Sequence, residues 1–188
     1  MELSNVKGSL ILLNGASSAG KTTLCKHIRD IIPAPFLHFS LDFIMFDADV
    51  LPKKRNVPEL GITWKQMRPH VFEGFYRCLP ALLSAGNNLL VDVIIEDENQ
   101  RNRLRNLLAT YDVFLVGVHC NLEMLIQRER LRGDRRTGDA ELDFKTVHTF
   151  LPYDLEVDSE APAEVNANKV VEAWLNREKP SVFERLSI

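Results

Sequence analysis

Residues 15–22 read Gly-Ala-Ser-Ser-Ala-Gly-Lys-Thr, a complete G-x-x-x-x-G-K-[ST] spacing. Such a run is built to wrap phosphates with its own backbone. Gly15 and Gly20 permit turns that a Cβ would hinder. Ala16, Ser17, Ser18 and Ala19 are small enough to let their N–H groups approach phosphate oxygens. Lys21 offers a point charge to the β- and γ-phosphates, and the Thr22 hydroxyl is suited to ligate Mg²⁺. Thr23 follows at the same helix start and joins the candidate nucleotide-binding residues.

The flanks set the fold. Leu10-Ile11-Leu12-Leu13 is a short apolar run of the kind found in a buried parallel strand. After the loop, apolar residues at 24, 28, 31 and 32 predict a helix over 21–32, closed by Pro33. That helix would aim its partial positive charge at the anion. Further along, strand-like runs at 36–39, 88–93, 112–119 and 153–157 alternate with helical patterns at 63–85, 98–110, 121–132, 141–150 and 162–176. The alternation predicts an α/β fold of three layers, α/β/α, around a five-stranded parallel sheet. In 188 residues it predicts one domain over 1–188, with 42–62 as an irregular excursion and an arginine-rich lid at 128–140.

Composition narrows the partners. Net charge is −3, with 45% hydrophobic and 26% charged residues, so neither nucleic acid nor an anionic membrane is an expected partner. No apolar run approaches the ~18 residues of a membrane span, and the start of the chain does not read as a secretory leader. Cys25, Cys78 and Cys120 are widely spaced and odd in number, the pattern of reduced thiols in a cytoplasmic protein. The five histidines show no metal-ligand spacing, and no Gly-x-Ser-x-Gly elbow is present.

Ligands of open parallel sheets gather at the carboxyl ends of the strands. After the second strand comes Ser40-Leu41-Asp42. Asp42 stands where a carboxylate could take a hydroxyl proton beside the γ-phosphate; the alternative is a helix N-cap. Leu89-Leu90-Val91-Asp92 has the form of a strand that delivers a carboxylate to Mg²⁺, or else a turn aspartate. Glu96, Asp97 and Glu98 read as the exposed start of the next helix. Arg128, Arg130, Arg132, Arg135 and Arg136 crowd nine residues. At helical spacing Arg128, Arg132 and Arg135 share a face and could close over phosphates, unless they are simply solvated and paired to Glu129 and Asp134. Phe72, Phe75 and Tyr76 fit a core stripe that could also wall a cleft.

Together these residues resemble the chloramphenicol phosphotransferase family of small P-loop kinases. The likeness runs through 11–22, Leu41-Asp42, residues 116–120, Arg128-Glu129, residues 132–135, Val147-His148 and residues 153–158. It implies ATP and Mg²⁺, transfer of the γ-phosphate to a hydroxyl of chloramphenicol or a similar alcohol, and a role in antibiotic resistance. On matched positions it implies Asp42 as base, Lys21, Arg132 and Arg135 as catalytic cations, Arg128 in nucleotide binding, and Thr22 and Asp92 at the metal. A member of that family has two adjacent aspartates after the third strand; here the second position is Val93, so only Asp92 carries over. Residues 43–75, which should build the acceptor pocket, show little likeness. Other kinases of nucleosides, sugars or amino-sugars (the zeta-toxin type included), a nucleotide-dependent switch, and an RNA-end kinase remain as alternatives. Oligomeric state stays open.

Overall fold

The structure is a computed structural model that describes residues 6–47, 50–51, 56–132, 138–179 and 181–185. Asp49, the Lys53-Lys54-Arg55 cluster and residues 133–136, with Arg135 and Arg136 among them, lie outside the described residues. Five strands form one parallel sheet: β1 (Ser9–Asn14), β2 (Phe36–His38), β3 (Asn88–Val93), β4 (Asp112–His119) and β5 (Leu155–Asp158). Their order is β2-β3-β1-β4-β5. β1 is central, with Leu13 opposite Asp92 on β3 and Val116 on β4.

Alternation along each strand divides the core. Ile11 and Leu13 join Leu90, Phe114 and Val116 on one face; Leu10 and Leu12 join Leu89, Val91, Val113 and Leu115 on the other. Both faces are apolar because both are covered, as expected of a parallel sheet. The first face is closed by α1 (Lys21–Ile31) and α6 (Ala163–Leu175), through residues such as Leu24, Ile28, Ala167 and Val170. The second is closed by α2 (Trp64–Ser84), α3 (Glu98–Leu108) and the short α7 (Val182–Arg185). This is the three-layer arrangement that the alternating pattern predicts. α4 (Leu122–Arg132) and α5 (Asp139–Thr146) follow β4 and pack on one another at the strand ends.

Boundaries shift by a few residues. α1 stops at Ile31 because Ile32, before Pro33, is extended. α5 begins at Asp139, earlier than its apolar pattern suggests, and ends at Thr146. The irregular excursion after β2 contains a turn of π-helix at Phe43–Asp47 and a 3₁₀ turn at Pro58–Leu60. Phe75 and Tyr76 are core residues, whereas Phe72 only borders the core. Among the described residues, no helix is long and apolar enough to cross a membrane.

Candidate active site

The phosphate loop joins β1 to α1, and its backbone conformation needs its glycines. A Cβ on Gly15 would lie 2.5 Å from the Val118 carbonyl oxygen, so only glycine lets the loop pass the end of β4. Gly20 has φ +87° and is the N-cap of α1. It offers no side-chain acceptor, and no acidic residue occupies the first turn of the helix. The amides at this terminus are therefore left for an anion rather than for a protein cap. Ser18 is held at φ 64°, and its buried Oγ has no partner, a polar atom that a bound phosphate could satisfy. Lys21 is buried and donates to the carbonyls of Gly15 and Ala16, 2.8 Å each, which keeps the ammonium inside the loop. The loop's residues fit a nucleoside triphosphate.

Beneath the loop, Asn14 satisfies every group of its buried amide. It donates to the Val147 carbonyl and the Tyr153 hydroxyl, both at 2.9 Å, and accepts from Ile95 N–H at 2.9 Å. One side chain thus ties the loop entry to the segment after β3 and the segment after α5. Tyr153 is also hydrogen-bonded to His148 at 2.7 Å, and His148 stacks on His119. Burial, and then the neighbouring His119, pull the His148 pKa down to about 4.

Thr22 and Asp92 meet as the metal reading requires. The Thr22 hydroxyl donates to Asp92 Oδ2 at 2.7 Å, and His38 Nε2 lies 3.0 Å from Asp92 Oδ1. Asp92 is buried on the α1 side of the sheet. Burial alone would raise its pKa; the hydrogen bonds from His38 and Thr22 and the Lys21 charge outweigh it and leave the carboxyl at about 2. It is therefore ionised and ready for a cation. A hydroxyl and a carboxylate at a phosphate loop are hard oxygen donors that suit Mg²⁺. His38 was not among the sequence candidates, since no ligand spacing marks it; it reaches Asp92 only because β2 pairs with β3, with His38 opposite Leu90. Cys25 lies within 4.8 Å of the same pair, but burial, then the Asp92 charge, hold its thiol well above its ordinary pKa. It remains a neutral core thiol beside the site.

Two cavities open on the loop. The first, about 720 Å³, is bounded by residues 20–24 of the loop and α1, by Arg128 and Arg132, and by residues 159–163 after β5. Thr23 lines it, as do Ser18 and Thr22. Arg128 is fixed there: its guanidinium donates to the Ser159 hydroxyl at 3.1 Å and the Ser159 carbonyl at 3.0 Å, close above Gly20. Arg132, one turn on, lines the same cavity, while Arg130 is exposed. Glu129 does not fit the alternative of a solvated surface pairing. It is buried, and its carboxylate accepts from Gly138 N–H at 2.8 Å and Ala140 N–H at 2.9 Å. It caps α5 from α4 and so pins both ends of the arginine segment.

The second cavity, about 860 Å³, lies on the other side of Lys21, between the residues after β2, the start of α2, the end of β3 and α5. Its wall includes Met45, Trp64, Phe72 and Ile94 together with Asp92, Glu96, Asp139 and Asp143. Glu96 is thus more than an exposed helix start: it pairs with Arg68 of α2 at the cavity edge. Asp97, by contrast, caps α3 through Gln100 N–H at 2.8 Å. Asp143 accepts from Ser17 N–H of the loop at 2.9 Å, and burial raises its pKa. Neither Asp139 nor Asp143 was a sequence candidate, although their spacing of four on one helix was available as a signal.

Asp42 and Lys21 line both cavities. The Ser40 hydroxyl accepts from Asp42 N–H at 3.2 Å. Asp42 itself stands at the junction of the two cavities.

The fold and site define a phosphotransferase of the P-loop kinase kind. The chain belongs to the chloramphenicol phosphotransferase-like family, whose model matches residues 8–175. Two proteins from Mycobacterium tuberculosis strains, provisionally named O-phosphotransferases, are 31% identical to it over 201 residues, covering 96% of this chain and 88% of theirs. Among solved structures, the fold is similar to a Mycobacterium tuberculosis APS kinase in complex with AMPPNP and APS (TM-score 0.67, 15% identity, 90% of this chain and 98% of that one). It is also similar to a tunicamycin resistance protein from Deinococcus radiodurans (TM-score 0.58, 17% identity, 91% and 98%). A third likeness is to an Acinetobacter baumannii shikimate kinase in complex with shikimate (TM-score 0.58, 14% identity, 93% and 97%).

Proposed function

We propose that this chain is one kinase domain that transfers the γ-phosphate of ATP, with Mg²⁺, to a hydroxyl of a small molecule. The observation that carries this is the position of Asp42: it lines the nucleotide-side cavity and the second cavity at once, beside Lys21.

Bound Mg²⁺ would supply charge neutralisation between the β- and γ-phosphates. Thr22 and Asp92 are the residues that would hold it. The loop amides and Lys21 grip the triphosphate, and Arg128 and Arg132, with Arg135 beyond the described residues, offset charge on the nucleotide side. Asp42 orients the acceptor hydroxyl and takes its proton as the oxygen attacks the γ-phosphorus. The bond from phosphorus to the bridging oxygen breaks, and ADP leaves with that oxygen. Residues 128–140 act as the lid over the nucleotide.

Family membership suggests chloramphenicol, or a similar alcohol, as the acceptor, with antibiotic inactivation in the cytoplasm as the role. The test is acceptor-dependent ADP release with ATP and Mg²⁺ across a panel of small alcohols that includes chloramphenicol. ADP release that never depends on any alcohol would count for a nucleotide switch and against a kinase.

A further inference from the structure

The second cavity carries more negative charge than phosphate transfer requires. Asp42 has its role as base, and Asp92 is turned to Thr22 and His38. Glu96 is balanced by Arg68. Asp139 and Asp143 remain. They stand four apart on α5, so they share a face, and both line the cavity. The basic residue of that helix does not help them, since Lys145 pairs with Glu141 on the exposed side at 3.0 Å. Of the cations lining the cavity, Lys21 is held in the loop and Arg68 is held by Glu96. Asp143 accepts the neutral Ser17 N–H and feels the Lys21 charge from inside the loop, but among the described residues neither Asp139 nor Asp143 forms an ion pair.

A second feature is independent of that charge. The same volume is walled by Trp64, Phe72, Met45 and Ile94, so it is suited to an apolar body. Carboxylates facing an apolar enclosure carry a desolvation cost that a bound cation would offset. The burial that raises the Asp143 pKa is the same cost seen from the side of the residue.

We infer that the acceptor is an alcohol bearing an ammonium group on an apolar body, with Asp139 and Asp143 holding the ammonium while its hydroxyl faces Asp42. The inference rests on the phosphotransferase reading and narrows it to a substrate class. A neutral amide such as chloramphenicol would fill the apolar part and leave both carboxylates without an ion-pair partner among the described residues. Anionic acceptors, shikimate among them, would meet like charge.

The test uses a matched pair, phenylserinol and N-acetylphenylserinol, which share a ring and two hydroxyls and differ in the ammonium. Calorimetry on the full chain loaded with AMPPNP and Mg²⁺ gives binding, and ADP release with ATP gives turnover. We expect the amine to bind about tenfold tighter than the amide, or more; tenfold is 1.4 kcal/mol. Asp139→Asn with Asp143→Asn should abolish the preference while leaving amide affinity in place. Asp139→Asn alone, which does not touch the loop, should reduce it severalfold. Equal or tighter binding of the amide, no binding of either compound, or an equal loss for both in the variants overturns the inference. Transfer to the amide but not to the amine would overturn it and keep the kinase reading. Tight amine binding with no transfer would keep the cavity assignment and remove the kinase reading.

Discussion

The two sides of Lys21 are made in opposite ways. On the nucleotide side the work falls to backbone: loop amides, an uncapped helix terminus and a glycine that lets β4 pass close by. Three cations, Lys21, Arg128 and Arg132, outnumber the carboxylates Asp42 and Glu160 there. On the far side the wall is made of side chains from four separate segments, with an apolar lining and carboxylates. A backbone cradle accepts one shape, a polyphosphate. A side-chain wall can be recast without disturbing the fold. The contrast locates the shared chemistry on one side and the selectivity on the other, with Asp42 between them.

Breaking the nucleotide side should have the largest effect. Lys21→Met removes the only charge that reaches both cavities from inside the loop, and transfer should fall by about 10²-fold or more. The thermal shift given by ATP should shrink with it. Asp92→Asn comes next: it removes the ionised partner of Thr22, so the Mg²⁺ concentration needed for half-maximal ATP turnover should rise on the order of tenfold. His38→Phe, one step removed, should give a smaller rise of the same sign. Equal Mg²⁺ dependence in all three proteins would remove the metal assignment.

Glu129→Gln tests whether the arginine segment is positioned by its buried stem. One oxygen remains, but the amide nitrogen cannot accept from a backbone N–H. A cost of about 1–3 kcal/mol is expected in denaturant melts, with a raised KM for ATP. An unchanged KM would mean that the stem does not position Arg128 and Arg132.

The smallest expected effect is on pH dependence. The folded-state pKa of His148, about 4, lies below its unfolded value, so the folded chain binds fewer protons between them. Its contribution is present above about pH 6.5 and is lost as pH falls toward 4. His148→Gln should flatten the melting temperature across that window. Asp92, held at about 2, works in the same direction at lower pH: its contribution is full above about pH 4 and lost as pH falls to 2.

Much of this was legible in the chain. The strand-loop-helix unit can be read because local spacing dictates it: β1 is a run of buried residues, and the loop's glycines and lysine act at fixed offsets. Strand and helix positions elsewhere follow from hydrophobic period, and they agree with the structure to within a few residues at most ends. Contacts made across the sheet are less legible. His38 finds Asp92 through strand pairing, Ser159 finds Arg128 across the end of β5, and Asp143 reaches the loop from α5. None of these pairs has a local spacing. Glu129 could be weighed as a surface partner for arginines because one turn of a polar helix gives no sign of which residue faces inward.

The most direct measurement is single-turnover transfer by Asp42→Asn, alongside ATP affinity for the same protein. The isosteric amide keeps the hydrogen bond to Ser40, the loop and the metal pair, and replaces the carboxylate at the junction of the cavities. The account predicts ATP affinity within about twofold of the parent and a transfer rate lower by on the order of 10² or more. Transfer at the parental rate would contradict it, and would place the base elsewhere in the second cavity.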